Sequence, residues 1–313
     1  MTRYLLSRIA SLVPIWLLIT FFAFLVASLA PGDPALAVLR QRGVDPITPA
    51  DISRARSELH LDDPLAVRYV RWVAAAAHGD LGTSFKGGRV LPTLVSKFRA
   101  SLELAVPAFL LALLIGLPMG LVSAAFRGSL ADHASRLITL VMASVPSFWL
   151  GYLLIIVLSV KLHLLPVAGR GDWRYVVMPA LTLALGSAAS IGRLIRSSLL
   201  DEIGEDYMRT ARAKGLSARR ALVVHALKKS LVPVATVSGL RFGRLLAGAA
   251  VVETVFTWPG IGRFLVESIN DRDFPAIQGT VLFTGTVFVL VNLVADLVSA
   301  RLDPRIRLAE TVG

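Results

Sequence analysis

The sequence predicts an all-α integral membrane protein with six transmembrane helices, a cytoplasmic amphipathic helical loop and a long ordered external loop between helices 1 and 2. Hydrophobic residues make up 55% of the 313 residues and charged residues only 17%, with a mean hydropathy of +0.68. About a quarter of the residues are charged in an average soluble chain. Several apolar runs are long enough to cross a bilayer, and basic residues flank them. These observations together indicate a multi-pass membrane protein.

The net charge of +12 is explained by membrane topology rather than by nucleic acid binding. A nucleic-acid-binding protein gathers its basic residues on one water-soluble face, whereas here they lie beside apolar segments. The absence of cysteine also excludes disulfides, thiol catalysis and cysteine-based zinc sites.

Five uninterrupted apolar segments approach or exceed the roughly 18 residues that a spanning helix needs. They cover residues 9–32, 104–126, 137–160, 175–192 and 274–295. A sixth segment, 231–256, is interrupted by Arg241, Arg244 and Glu253. Hydropathy alone therefore supports the sixth span poorly.

The positions of the basic residues favour the sixth span and predict its orientation. Arginines occur at the amino terminus (Arg3 and Arg8), in the loop 127–136 and in the carboxy-terminal tail. Placing all of them in the cytoplasm requires an even number of spans. The basic segment 201–230 lies on the cytoplasmic side only if the segment 231–256 crosses the membrane. We therefore expect a multi-pass protein of the cytoplasmic (inner) membrane with both termini in the cytoplasm.

The first apolar segment has two interpretations. Basic residues, an apolar run and the small residues Ser28 and Ala30 resemble a secretory signal with a cleavage site. However, the run exceeds the roughly 7–15 residues of a signal sequence, and Pro31 would directly follow the cut. We expect the segment to be retained as a helix.

The polar segment 33–99 lies outside in this topology, where a loop of about 60 residues or more translocates largely regardless of its charge. Thr48-Pro49-Ala50-Asp51 is typical of a helix start, and Gly79-Asp80-Leu81-Gly82 is typical of a turn. The segment is either a cap on the external face or a docking surface for an external partner.

The polar segment 201–230 has the pattern of a short amphipathic helix, a glycine turn and a second helix. Ile203, Tyr207, Met208 and Ala211 share one helix face, and Gly215 is a plausible carboxy-terminal cap. Ser217 is a plausible cap for the next helix, in which Ala218, Ala221, Leu222 and His225 share a face. The basic residues are compatible with a helix lying on lipid headgroups. The small, alanine-rich apolar stripe instead favours insertion into a protein groove.

The same segment resembles the coupling loop of ABC importer permeases, in the first-permease branch of the dipeptide/oligopeptide family. The residues that carry this resemblance in the loop are Asp206, Tyr207, Arg209, Thr210, Ala211, Arg212, Ala213, Lys214, Gly215, Leu216, Ser217 and His225-Ala226-Leu227. The resemblance extends over nearly the whole chain. It includes 30–34, Leu61-Asp62 with Pro64-Leu65 and Trp72, 79–82 with Ser84, Ser144 with Pro146 and Phe148-Trp149, 252–256 with 259–262, Arg272-Asp273 with Pro275 and Gln278-Gly279, and 303–307.

This resemblance implies the function of the polar segment and the partners of the chain. In the family, the loop docks into a cleft of a cytoplasmic ATPase subunit, so that closure of the ATPase dimer moves the membrane helices. The implied partners are a second homologous permease (forming a heterodimer), two cytoplasmic ATPase subunits, an extracytoplasmic substrate-binding protein, a peptide substrate and membrane lipid, with no nucleic acid. No cofactor is expected on this chain, because ATP and Mg²⁺ belong to the ATPase subunits.

The chain departs from the general loop pattern at two positions. Arg209 stands where the pattern has glutamate six residues before the glycine, which the dipeptide branch tolerates, and Lys228 stands where the pattern ends in proline. The individual contacts of the loop therefore do not follow from the family pattern.

Catalysis and metal binding are not expected of this chain. It contains no phosphate-binding loop sequence, and its five histidines lack metal-ligand spacing. Energy must then come from a partner.

A few polar residues within the apolar segments are candidates for the translocation pathway or a gate: Arg241, Arg244, Glu253, Asn292 and Asp296. Burying an arginine in a membrane helix costs about 2.5 to 3.5 kcal/mol on insertion scales, so such residues snorkel, pair or line a wet cavity. One hypothesis is a contact from an arginine to Asp296 near the inner end of the pathway, and the alternative is Arg241 snorkelling to headgroups. Glu253 is either a gate residue or a helix-packing hydrogen-bond partner.

Small residues and prolines within the apolar segments predict close packing and irregular helices. Gly116 with Gly120, and Gly239 with Gly243 and Ala247, have the spacing of close helix contacts. Pro107, Pro118 and Pro146 predict kinks or locally freed carbonyls, which transport proteins use where helices line a cavity and which a static bundle also tolerates.

The expected organisation is an amino-terminal helix (1–32), an external loop (33–99), a permease core (100–300, with the coupling loop 201–230) and a cytoplasmic tail (301–313). A peptide is the expected cargo, with nickel, glutathione or haem as alternatives because such systems share these motifs. A secondary transporter would normally show an internal repeat, which is not visible. A non-transporting membrane scaffold would leave the loop without a purpose.

Overall fold

The computed structural model describes residues 2–29 and 32–302, without the side chains of residues 2–12, 41, 212, 218, 219, 247, 248, 296 and 298–302. Ala30, Pro31 and the tail motif 303–307 therefore lie outside the described residues, as do the side chains of Arg3, Arg8, Arg212 and Asp296. Every secondary-structure element in the described ranges is a helix. This confirms the predicted all-α class.

The first part of the chain forms five helices: α1 (Thr2–Leu29), α2 (Pro34–Gln41), α3 (Pro49–Glu58), α4 (Leu65–Ala77) and α5 (Val90–Ala125). The middle part forms α6 (Leu130–Ser144), α7 (Ser147–Leu154) with a π-helical continuation (Ile155–Lys161), and α8 (Trp173–Gly204). The remainder forms α9 (Asp206–Ala213), α10 (Ala218–Ala221) with a π-helical turn (Leu222–Ala226), α11 (Leu227–Gly248), α12 (Ala250–Val255), α13 (Ile261–Asn270) and α14 (Phe274–Leu302).

Three of these helices are long and apolar enough to cross a membrane: Val90–Ala125, Trp173–Gly204 and Phe274–Ala295. Two bent pairs meet the same criterion together, Val13–Leu29 with Pro34–Arg40 (72°) and Leu130–Ser144 with Ser147–Lys161 (98°). The described residues thus provide three to five candidate spans. The segment 231–256 forms α11 and α12 but does not reach this criterion, so the sixth span stays a prediction.

The helices pack as two compact units. The first comprises Met1–Ser101 and Pro259–Val289, and the second comprises Leu102–Trp258 and Leu290–Gly313. The chain passes between them within α5, between Trp258 and Pro259, and within α14.

In the first unit, local capping orders the segment 33–99. Thr48 and Asp51 form a capping box at the start of α3, in which each side chain accepts a hydrogen bond from the other residue's backbone N–H. Asp80 accepts a hydrogen bond from the Gly82 N–H at 2.9 Å, in a turn with positive φ at Gly79 and Gly82. The predicted helix start and turn are therefore confirmed.

Asp273 joins two distant parts of the first unit. Its buried carboxylate accepts hydrogen bonds from Ser84 Oγ at 2.5 Å and from the Phe85 N–H at 3.1 Å. It also accepts one from the Ala276 N–H at 3.2 Å, at the start of α14. Two of the recognised motifs, 79–84 and 272–279, thus meet at one carboxylate.

In the second unit, α8 is the central helix and packs against α6 and α11. Ala184, Ala188, Ile191 and Ile195 form a fully buried row along it. A Cβ atom on Gly120 of α5 would lie 2.1 Å from Ile195 Cγ2 and 2.3 Å from the Gly192 carbonyl oxygen of α8. Only glycine permits this approach, which confirms the predicted close contact at Gly116 and Gly120.

The three prolines predicted to cause kinks differ in their effects. Pro107 and Pro118 lie inside α5, which continues through both positions. Pro146 instead lies at the break between α6 and α7, where the chain bends by 98°, so the kink predicted within the segment 137–160 is confirmed at this point. Val145 is extended, with φ −78° and ψ 122°, because proline disfavours helical backbone in the residue before it.

Candidate functional site

The segment 201–230 folds as a helix, a glycine turn and a second helix, as its pattern predicts. α9 ends at Ala213, and Gly215 follows with φ +85°, a conformation that other residues adopt only with strain. The Leu216 N–H donates to the Ala211 carbonyl at 3.2 Å, which closes the turn. Ser217 then caps the next helix: its Oγ accepts from the Arg220 N–H at 3.4 Å, and its carbonyl oxygen accepts from the Ala221 N–H at 2.9 Å.

The apolar face of α9 is buried within the chain itself. Met208 and Ala211 are 1% and 8% exposed and pack in one cluster with Leu199 of α8 and Ala124 of α5. The prediction that this stripe inserts into a partner's groove is therefore wrong. Because α9 turns back directly after α8, its small apolar residues are covered by the end of that helix.

The opposite face of α9 is polar and exposed. The side chains of Asp206 and Arg209 are 93% and 79% exposed and form an ion pair at 3.2 Å, one helical turn apart. Thr210, Ala213, Lys214, Gly215 and Ser217 continue this exposed surface, which we call the outer face of the loop. Leu216 is half-buried, and the Arg212 side chain lies outside the described residues.

His225 lies on a different side of its helix from the predicted one. Helical spacing groups it with Ala221 and Leu222, but Ala221 is buried, Leu222 half-buried and His225 exposed. The residues 222–226 form a π-helical turn, whose wider winding rotates His225 away from that face.

Three side chains connect α9 to its neighbours. The Tyr207 hydroxyl donates a hydrogen bond to Glu202 near the end of α8. The Lys229 ammonium, at the start of α11, lies 3.6 Å from the centre of the Tyr207 ring and 4.0 Å from Glu202 Oε2. Burial, followed by the hydrogen bond to Glu202, raises the pKa of Tyr207 above its usual value. The phenol is therefore protonated at neutral pH and remains a donor.

The predicted pathway arginines line a small cavity in the second unit. Arg241 and Arg244 border a space of about 110 Å³ together with Leu183, Ser187 and Leu245. Arg241 Nε and Asn292 Oδ1 are buried, and neither has a hydrogen-bond partner among the side chains that the structure describes. Because the Asp296 side chain lies outside the described residues, its predicted contact with an arginine stays a prediction.

Glu253 is fully buried, in the first turn of α12. Its carbonyl accepts a hydrogen bond from the Trp258 N–H at 2.7 Å, at the end of a turn that also buries Phe256. In the described ranges, no group of three or more histidine, aspartate or glutamate residues is placed to hold a metal ion.

A buried ion pair that was not predicted from the sequence fixes the loop between α5 and α6. The Asp132 carboxylate, 3% exposed, accepts from Arg196 Nη2 at 3.0 Å and from Ser123 Oγ at 2.5 Å. The Gly128 N–H adds a further hydrogen bond at 3.0 Å. The available signal was an aspartate three residues after a serine cap, followed later by an arginine one helical turn after the end of an apolar run.

Models of protein families match nearly the whole chain. Residues 116–308 match the binding-protein-dependent transport system inner membrane component, and residues 1–105 match the amino-terminal part of the corresponding membrane component.

Curated relatives align with the chain from end to end. The chain is 38% identical to the dipeptide transport system permease protein DppB of Escherichia coli (strain K12), covering 98% of this chain and 99% of that protein. It is 39% identical to the glutathione transport system permease protein GsiC of Salmonella paratyphi A, with the same coverage.

Solved structures share the fold at low sequence identity. The MetNI methionine ABC transporter in inward-facing conformations matches with TM-scores of 0.56 and 0.58 at 19% identity, covering 67% and 68% of this chain and 96% and 98% of the matched chains. An amino acid ABC transporter crystallised with histidines matches with a TM-score of 0.52 at 16% identity, over 68% of this chain and 94% of that one.

Proposed function

Because this chain belongs to the family of binding-protein-dependent transport system inner membrane components, we propose that it is the permease subunit of an ATP-driven importer of dipeptides or oligopeptides. The observation that carries this proposal is the exposed outer face of the loop, which lies opposite the buried apolar face of α9. Such a face is accessible to a cytoplasmic protein and is also fixed to the membrane helices.

The proposed topology has six spans in the inner membrane with both termini in the cytoplasm. α11 and α12 provide the sixth span, and the external loop 33–99, the core 100–300 and the tail 301–313 keep the predicted boundaries. The polar interruptions of this span are acceptable where they face a wet pathway rather than lipid.

In the proposed coupling step, an ATPase subunit contacts the outer face, with Arg209, Lys214 and Ser217 near its centre. Displacement of α9 is transmitted by two routes. The buried cluster around Met208 and Ala211 pushes on α8, and the Glu202, Tyr207 and Lys229 contacts pull on α11.

The remaining partners follow from the family. A second homologous permease completes the pathway, two ATPase subunits bind ATP and Mg²⁺, and an extracytoplasmic binding protein delivers the substrate. Arg241, Arg244, Glu253, Asn292 and Asp296 are the proposed pathway or gate residues. A guanidinium without a described acceptor at Arg241 suits transient contact with a peptide carboxylate.

Glutathione is a second candidate cargo, because a glutathione permease is about as similar to this chain as a dipeptide permease is. The two differ in the binding protein that delivers the substrate. Competition of labelled dipeptide uptake by glutathione, with each candidate binding protein in turn, distinguishes them.

The coupling role is tested by ATP-driven peptide uptake in proteoliposomes that contain this chain and its partner subunits. Gly215→Pro replaces φ +85° with a value near −65°, which opens the turn between α9 and α10. We expect uptake to fall at least tenfold and the ATPase subunits to be lost on purification.

Gly88→Pro is the matched control. Gly88 has φ +89° and, like Gly215, has no atom within 4 Å of the position of a Cβ, but it lies in the segment 33–99. The Gly88→Pro substitution introduces the same backbone conflict outside the segment 201–230, so binding of the ATPase subunits should persist. Unchanged uptake and assembly in Gly215→Pro would refute the coupling role.

A further inference from the structure

An open cavity between α6 and α8, in the second unit, takes no part in the proposed coupling or translocation. Its volume is about 550 Å³. The residues that line it are basic, apolar or hydroxyl-bearing: His133, Arg136, Leu137, Thr139, Leu140, Arg193 and Arg196. None of these lining residues carries a carboxylate, so the walls have a net positive charge.

Two of the three arginines are available for a ligand. Arg196 is already held by Asp132 at 3.0 Å. Arg136 and Arg193 are exposed, and neither has an ion-pair partner among the side chains that the structure describes. The nearest acceptor recorded for Arg193 is Ser190 Oγ at 3.5 Å, the longest distance for a hydrogen bond.

The wall beside these arginines is apolar. Leu137 and Leu140 lie one turn apart on α6 and are 62% and 61% exposed. A free inorganic anion gains nothing from such a wall. An amphiphile with a phosphate head and an acyl chain matches both parts of the cavity.

The sequence also places both arginines at the ends of uncharged apolar runs. Arg136 directly precedes the uncharged segment 137–160, and Arg193 directly follows the uncharged segment 175–192. Each guanidinium therefore marks one end of an apolar run, at the boundary between hydrocarbon and headgroups. Basic pockets between membrane helices at this level bind anionic headgroups.

We propose that this cavity binds an anionic phospholipid such as phosphatidylglycerol. The phosphate accepts hydrogen bonds from the guanidinium groups of Arg136 and Arg193, whose planar donors suit phosphate oxygens. An acyl chain lies along Leu137 and Leu140. The site requires only that the protein lies in a membrane, so it does not depend on the identity of the cargo.

The test measures the thermal unfolding midpoint of the purified full chain in detergent with increasing dioleoylphosphatidylglycerol or dioleoylphosphatidylcholine. A ligand that binds the folded state raises the midpoint according to its concentration and affinity. We expect phosphatidylglycerol to raise the midpoint and phosphatidylcholine to leave it unchanged. Arg136→Gln and Arg193→Gln should each weaken the apparent affinity about fivefold.

Arg127→Gln is the matched control. Arg127 is exposed in the loop 127–136 and carries the same charge as Arg136, but it does not line the cavity. The affinity of the Arg127→Gln variant for phosphatidylglycerol should therefore equal that of the wild type. Equal weakening in all three variants would indicate general charge attraction and overturn the site. An equal rise of the unfolding midpoint with phosphatidylcholine and with phosphatidylglycerol would also overturn the site.

Two further measurements separate the headgroup from the whole lipid and binding from stability. Glycerol 3-phosphate tests the headgroup alone, and an equal shift with it would overturn the lipid assignment. Native mass spectrometry counts retained phosphatidylglycerol without unfolding the protein, so a variant with a lowered baseline midpoint is still informative. Retained lipid should decrease in Arg136→Gln and Arg193→Gln, and unchanged retention in both would overturn the proposal.

Discussion

At the scale of single residues, buried polar contacts determine how the polar loops are held. Asp132 is enclosed by donors from three parts of the chain: Arg196, Ser123 and the Gly128 backbone. A carboxylate at 3% exposure is stable only with such partners. The contact therefore fixes the loop 127–136 to α8.

Removing one member of this pair should destabilise the protein strongly. In Asp132→Ala, the half-buried Arg196 loses its charge partner, and losses of about 3–5 kcal/mol are typical for breaking a buried pair. We expect a large decrease in the unfolding midpoint in detergent. The double variant Asp132→Ala with Arg196→Met should regain part of that loss, because it removes the uncompensated charge. A single variant as stable as the wild type would show that the pair contributes little.

Individual residue roles were the part that the sequence predicted least well. The pattern placed Met208 and Ala211 correctly on one face of α9 but not against their own chain, because periodicity does not identify what covers a face. It likewise could not reveal that Asp132 and Arg196, which are 64 positions apart, form a pair. Such pairings depend on the arrangement of helices.

At the scale of helices, the contact between α5 and α8 depends on residues without side chains. A Cβ on Gly116 would lie 2.6 Å from the Ala188 carbonyl oxygen, and a Cβ on Gly120 would lie 2.3 Å from that of Gly192. The backbones of the two helices therefore approach as closely as sterics permit.

Gly120→Ala should force these helices apart and destabilise the protein by about 1–3 kcal/mol, as is typical of overpacked cores. Gly186→Ala is the matched control, because Gly186 is exposed on α8 with open space at its Cβ position. It should be neutral or slightly stabilising, since alanine favours helices. Thermal unfolding of the two variants in the same detergent decides the matter, and equal midpoints would contradict the close contact.

Most helices could be predicted from apolar runs and from local start and stop signals, such as the capping box at Thr48 and the glycine turn at Gly215. The break at Pro146 was only partly predictable. Pro107 and Pro118 show that a proline within an apolar run need not end a helix, because neighbouring groups satisfy the freed carbonyls.

At the scale of the whole molecule, the number of spans is the main open expectation. Within the part of the chain that the structure describes, up to five candidate spans meet the criterion of length and hydropathy. The sixth span is predicted from the distribution of basic residues along the sequence. The polar residues of α11 and α12 are compatible with a membrane span if they face a pathway.

Sidedness of single cysteines tests the six-span topology directly, because the chain contains no cysteine of its own. Ser217→Cys and Asn270→Cys flank the sixth span and are exposed. In intact cells, an impermeant maleimide should label Asn270→Cys and a control, Ser57→Cys, but should label Ser217→Cys only after lysis. Labelling of positions 217 and 270 from the same side would show that 231–256 does not cross.

The membrane class and the family could be predicted because they depend on composition and on many short motifs distributed along the chain. The cargo could not, because no residue pattern in the helices identifies a particular peptide. Arg241 and Asn292 have buried polar atoms without a described partner, but such atoms do not distinguish one polar ligand from another.

The glycine contact between α5 and α8 also limits how the transporter moves. At Gly116 and Gly120 the backbone of α5 lies against α8. Sliding of one helix along the other is therefore resisted by Ile195 and by the carbonyl oxygens of α8. We therefore expect these two segments to move together as one rigid body rather than to slide past each other.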